Sequence, residues 1–144
     1  MLEKYLSIVN HYYLFSLIEV LVLFLLLLII FLVAKKKNAG KKFMSLLDIL
    51  VVVLSLGTAV GIYDYCRDVK QVKSEQYIAC AFVEAGYNGK FGSSTNIFAA
   101  PVVATLDNGE EVYLEDVISF PDKAKDGTIV YLEKSRILLD FSLN

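Results

Sequence analysis

The sequence predicts a membrane α-helical hairpin followed by a small all-β domain, and three observations carry that expectation. Of the 144 residues, 56% are hydrophobic and only 21% charged, against roughly 45–50% and about 25% for a soluble domain. The excess is gathered into two blocks of about 20 residues, the length that crosses a hydrocarbon core of roughly 30 Å. Beyond the second block the pattern changes to short β-branched and aromatic runs punctuated by Gly, Asn and Asp. One ordinary globular domain, a disordered chain and a multi-domain enzyme are thereby excluded.

Residues 1–11 read as an N-terminal tail. The first span covers 12–34, and every residue from Val20 to Ala34 is apolar. Two buried helices of a soluble protein are the alternative, but helices without a polar face need far more chain to cover them. A cleaved signal peptide has an apolar run of roughly 7–15 residues ending at a small-x-small site; this run is longer and ends in lysines. The connection 35–42 (Lys35-Lys36-Lys37-Asn38-Ala39-Gly40-Lys41-Lys42) holds five lysines, whereas the tail has only Lys4. Short loops rich in Lys and Arg stay cytoplasmic. Both termini are therefore expected outside, in a two-span protein of the cell membrane. Arg67, Lys70 and Lys73 argue weakly for the reverse. The second span covers 43–65, with Asp48 near its inner end. In this orientation Tyr12, Tyr13, Tyr63 and Tyr65 share the outer interface, where amphipathic rings are favoured.

Two features inside the spans point beyond anchoring. Gly57 and Gly61 form a Gly-x-x-x-Gly pair and Ser55 with Ala59 repeats the spacing, a pattern that lets helix backbones approach closely in lipid. The nearest partner is the first span of the same chain; a membrane partner or a homo-oligomer is also open. Glu19 lies about 10 Å along the axis from the tyrosine level. An acid at that depth is protonated, paired or turned inward. It either bonds Thr58 or Ser55 across the hairpin or meets a partner membrane protein; an ion path needs more polar groups than two helices supply.

Residues 66–76 read as a helical extension or linker, and 77–144 as the β domain. Strands are expected at Tyr77–Val83, Ile97–Leu106, Glu111–Leu114, Thr128–Glu133 and Arg136–Phe141, with Glu84–Asn96 a long loop. Asp107-Asn108-Gly109 is the strongest turn signal, as in a tight hairpin. Phe120-Pro121-Asp122 and Lys125-Asp126-Gly127 bound a further loop. About five short strands fit a half-open OB-like or SH3-like barrel, marginal in stability by itself. Cys66 and Cys80 would close a loop of about 15 residues. An outside location permits that disulfide, but Cys66 ends a span and Cys80 lies in a strand, so two separate thiols are the favoured alternative.

The chemical inventory is thin. His11 is the single histidine, so neither a zinc site nor a His-activated nucleophile is suggested, and no phosphate-binding glycine motif occurs. No catalytic, cofactor or metal residue is assigned. Glu110, Glu111, Glu115 and Asp116 could do acid–base work, but neighbours on a strand face opposite ways, so a solvated strand edge is the better reading. From Arg67 onward eight Lys and Arg stand against twelve Asp and Glu, a net −4. That balance disfavours nucleic acid and anionic lipid, and suits a basic protein partner. Tyr87, Phe91 and Phe98 place aromatics around the Gly-rich loop, a partner-contact surface or simply a cover for the barrel end.

The stretch Ala104-Thr105-Leu106-Asp107-Asn108-Gly109, followed by Asp126-Gly127-Thr128-Ile129-Val130 and set behind membrane spans, resembles the short NfeD-like membrane proteins. That resemblance implies an OB fold and stomatin-type, membrane-organising partners. The residues themselves suggest a non-catalytic protein whose β module binds another membrane or secreted protein, such as a bacterial immunity protein or an accessory subunit of a membrane complex. The NfeD-like scaffold is the alternative, and a membrane-anchored hydrolase the third reading.

Overall fold

Residues 1–87 and 100–144 are described by the structure, a computed structural model. Two helices come first, α1 (Leu2–Lys36) and α2 (Lys41–Lys73). Both are long and apolar enough to cross a membrane. At 1.5 Å per residue each measures about 50 Å, well beyond a hydrocarbon core of roughly 30 Å. The surplus lies at the end holding Leu2 and Lys73. The 1–11 segment, expected as a tail, is therefore the first three turns of α1, and most of the 66–76 linker is helix.

Both helices stop by the same device. The amides of Asn38 and Ala39 return to the carbonyls of Lys35 and Ala34 at 3.2 and 2.9 Å, and those of Glu75 and Gln76 to Val72 and Gln71 at 3.1 and 2.9 Å. Asn38 and Glu75 carry φ of 51° and 55°, the left-handed residue that closes such a cap. The connection between the helices thus shrinks to Lys37–Gly40, short enough to force antiparallel neighbours.

Five strands follow: β1 (Ile78–Tyr87), β2 (Ala100–Leu106), β3 (Glu111–Asp116), β4 (Lys123–Tyr131) and β5 (Leu138–Leu143). They form one antiparallel sheet in the order β3-β2-β1-β4-β5. The sheet curls until its edges meet in a single parallel bridge, Glu115 to Ile137, with the Glu115 amide donating to the Arg136 carbonyl at 2.8 Å. The result is a five-stranded half-barrel. Phe82, Val102, Ala104, Leu114 and Ile129 fill it from their strands, as the two-residue period allows, and Phe120 joins them from the turn after β3.

Several expectations change here. Glu84–Tyr87, expected in a loop, extends β1, pairing with Val102–Thr105 on one side and with β4 on the other. Val83 is the extra residue of a bulge against β2, and a bulge bends a strand. That bend lets one strand serve both halves of the curled sheet. Lys125-Asp126-Gly127 also lies within a strand, β4. The Asn-Gly hairpin is a three-residue loop: Gly109 sits at φ 82°, its amide donates to Leu106, and Leu106 in turn donates to Glu110 at 2.8 Å. This is the turn-plus-bulge connection, not the two-residue one. The possible Cys66–Cys80 disulfide is not formed; both are free thiols, Cys66 exposed on α2 and Cys80 half-buried in β1.

Gly127 marks the tightest approach in the barrel. A Cβ there would strike the Ser142 carbonyl oxygen of β5, and the Phe82 ring at 2.8 Å. Replacing Gly127 with Ala should lower stability by about 1–3 kcal/mol through overpacking, read as a fall in thermal midpoint of the detergent-solubilised chain. An unchanged midpoint would show that β4 and β5 can separate at no cost.

Candidate functional site

The site is the joint between the helix pair and the β unit. It grows out of β5, which faces apolar surface on both sides. Leu138 belongs to the barrel interior, while Ile137 and Leu139 turn outward and are fully buried against the helices. Consecutive residues are buried on opposite faces because successive strand side chains alternate; Leu139 is also the extra residue of a second bulge, opposite Val130 and Tyr131 of β4. The helices supply the other wall: Tyr5, Ile8, Val9 and Tyr12 from the first turns of α1, and Val72 from the last turns of α2. Fully burying a Val, Leu or Ile side chain contributes about 1.5–3 kcal/mol.

Polar groups lock this apolar seam in register. Asp68 is 0% exposed. Its Oδ2 accepts from the Tyr13 hydroxyl at 2.7 Å, and its Oδ1 from Arg67 Nε at 3.0 Å. Arg67 also reaches Asp64, Nη1 to Oδ1, at 2.6 Å. Tyr65 donates to Asn10 at 2.9 Å, and Tyr13 and Tyr65 meet edge to face with ring centroids 5.4 Å apart. At the far end Lys4 Nζ lies 2.6 Å from Asp140 of β5. The Asp140 carboxyl feels burial, which raises its pKa, but the Lys4 hydrogen bond and charge outweigh that and hold it below its ordinary value. The Tyr5 hydroxyl is pushed up to about 12, by burial first and by the Asp140 charge second.

Below the seam a cleft of about 1450 Å³ opens between the side of the helix pair and the lower face of β3 and the β4–β5 loop. Leu17, Val20, Gly57 and Val60 line its helical wall, and Glu110, Glu111, Lys134 and Arg136 its β rim. Arg136 sits over the Tyr131 ring at 5.6 Å.

The residues singled out in the sequence are distributed unevenly over this site. Gly57 and Gly61 border the cleft. A Cβ on either would meet nothing within 4 Å, so they do not bring α2 against α1 as expected. Ser55 and Ala59 are exposed. The Ser55 and Thr58 hydroxyls donate to the carbonyls of Val51 and Leu54 in their own helix, both at 2.8 Å. Glu19 is half-buried, and six residues beyond the Tyr13–Asp68 contact the antiparallel register sets it level with Gly61 and Ile62.

The acidic stretch is only half the solvated edge expected of it. Glu110 and Glu111 are exposed, but Glu115 and Asp116 are 8% and 3% exposed. Asp116 accepts from the amides of Ile118 and Phe120 at 2.8 and 2.7 Å and from the Tyr87 hydroxyl at 2.7 Å. It organises the turn after β3. Tyr87, expected as a partner contact, therefore has its hydroxyl committed within the fold. Burial and the Asp116 bond raise its pKa, although its side remains 36% exposed. Phe91 and Phe98 lie outside the described residues. Among the described residues, no three His, Cys, Asp or Glu side chains gather where a metal could be held. Sequence reasoning passed over Asp68 and Asp140, and read Tyr13 only as an interfacial ring. The signal for the first was available: Tyr65, Asp68 and Val72 continue the three-and-four spacing of the apolar seam, so a carboxylate falls on the buried face.

No protein-family model, curated protein or solved structure matches this chain.

Two outcomes are expected. Asp68→Ala leaves Arg67 and the Tyr13 hydroxyl without their shared acceptor and should cost about 3–5 kcal/mol, seen as protease sensitivity of the whole β unit; resistance equal to wild type would show the network to be ornamental. Because Asp140 is depressed on folding, its contribution is present at neutral pH and is lost as pH falls through 3.8, the ordinary value, and below. Lys4→Ala should flatten that acid limb of the stability profile. Being surface-exposed, the pair should cost under about 1 kcal/mol at neutral pH.

Proposed function

We propose that the chain is a non-catalytic integral membrane protein whose helical hairpin presents a small OB-like β module outside the cytosol, where the module binds another protein. The observation that carries this reading is the joint. Tyr5, Val9, Tyr12 and Val72 share one buried core with Leu132, Ile137 and Leu139, so the module is clamped to the hairpin at a fixed height and angle instead of trailing from a linker. A protective protein, such as an immunity protein, or an accessory subunit of a membrane complex must meet its partner at a defined level above the bilayer, and a clamped module does that. The five lysines beside the hairpin bend favour a cytosolic bend and an extracytoplasmic module.

A second reading, an NfeD-like scaffold with stomatin-type partners, is favoured by the connectivity. A first strand paired with both the second and the fourth, with the third meeting the fifth in parallel, is compatible with a partly open five-stranded barrel of OB type.

Asn108→Cys in a Cys66→Ser background should react with an impermeant maleimide in intact cells; reaction only after lysis would overturn the orientation. Photo-crosslinkers at the exposed Val83 and Tyr113 should join the chain to a second protein. A toxin or transporter subunit supports the first reading and a stomatin-like oligomer the second, while the absence of any heterologous adduct from a folded, membrane-inserted chain defeats both.

A further inference from the structure

We propose that the cleft beneath the β unit is a binding site for a single zwitterionic phospholipid, with its acyl chains along the helical wall and its headgroup against the β rim. The inference rests on the reading that both helices span a bilayer. Their outer interface then lies at Tyr12, Tyr13 and Tyr65, all three of which border the cleft, so the cavity straddles the boundary between headgroups and hydrocarbon. Its lower wall, from Leu17, Val20 and Val60, is mainly apolar, with Ser16 and Thr58 among them. The glycine at position 57 deepens it, since nothing stands within 4 Å of where a side chain would begin.

The rim is chemically opposite. Glu110 and Glu111 end the β2–β3 connection, and Lys134 and Arg136 lie in the β4–β5 loop. Among the described residues neither cation takes part in an ion pair. Glu133 stands beside Lys134 in the same loop, so both signs of charge lie over one greasy wall with carboxylates in the majority. A phosphate can engage the two cations while an ammonium engages the two carboxylates. An anionic headgroup would satisfy only the first pair and be repelled by the second. The volume, about 1450 Å³, exceeds the roughly 300–1,000 Å³ of pockets for drug-sized ligands, as a headgroup with its upper acyl chains requires.

The test is native mass spectrometry of the full chain in mild detergent with an equimolar mixture of phosphatidylethanolamine, phosphatidylcholine and phosphatidylglycerol. One retained lipid is expected, with the zwitterionic species several-fold over phosphatidylglycerol. Lys134→Ala with Arg136→Ala should reduce that adduct about tenfold, the loss expected for charge-assisted bonds to phosphate. Val20→Trp should reduce it by filling the wall, with the near-ultraviolet circular dichroism of both variants unchanged. Preference for phosphatidylglycerol, or wild-type retention in both variants, would overturn the site. If Gly57→Leu instead releases a co-purifying membrane protein and leaves the lipid adduct intact, the wall is a helix-docking face and the lipid site is refuted. Extraction of the chain by alkaline carbonate would overturn the membrane reading itself; a carbonate-resistant chain without a selective adduct defeats the lipid site alone.

Discussion

The structure depends on a patch of apolar surface that the β unit cannot hide by itself. A chain of some 60 residues buries only about 60% of its unfolded surface and is marginal as an independent domain. This one spends part of its apolar complement on its outside, at Leu132, Ile137 and Leu139. Without the helices those side chains would form an exposed patch beside a small core. The surplus length of α1 and α2 covers them, and the same length exceeds what a bilayer requires. One fact about helix length therefore accounts both for a continuous helix from Leu2 and for a β unit with a fixed pose.

Apolar contact sets distance but not register. A Leu or Val seam tolerates a slide of one helical turn, because the hydrophobic effect has no direction. The antiparallel pair is keyed by directional bonds at the end that carries the β unit: Tyr13 to Asp68, Tyr65 to Asn10, and Arg67 bridging Asp68 and Asp64. Burying Asp68 completely is costly, and the network is correspondingly full, with the Tyr13 hydroxyl and the Arg67 guanidinium on its carboxylate. Such groups contribute less to net stability than to the uniqueness of the arrangement, since sliding would strand a charge in an apolar wall.

Much of the architecture was legible because it follows from local physics. The two apolar blocks, the Lys-rich bend, the Asp107–Gly109 turn and the apolar run that ends at Leu106 each announce themselves over a few residues. What was not legible depends on distant neighbours. The β1 extension through Gly86 reads as loop because glycine is a poor strand former, yet a Cβ at Gly86 would come within 2.6 Å of the Asp122 carbonyl, a requirement visible only once β4 is alongside. Asp116 looks like surface until the turn after β3 wraps its amides around it. Residues 1–11 carry no helical signal strong enough to stand against water; they are helical because the β unit packs on them. The joint itself was half legible. Its acid lies on a recognisable seam, but its β-side wall, Ile137 and Leu139, shows only as the second apolar face of a strand whose cover is distant in sequence.

The cleft beside β3 is a consequence of how the barrel is gripped. The helices hold the unit by its β4–β5 side, through Leu132, Ile137 and Leu139, while β3 lies at the opposite edge of the sheet and meets β5 in the bridge at Glu115. The space under β3 is therefore enclosed by two surfaces whose spacing is set elsewhere. Whatever enters touches hairpin and module together, so occupancy of the cleft and the pose of the β unit are coupled: a ligand that bridges both walls resists the opening that loss of the Asp68 network would permit.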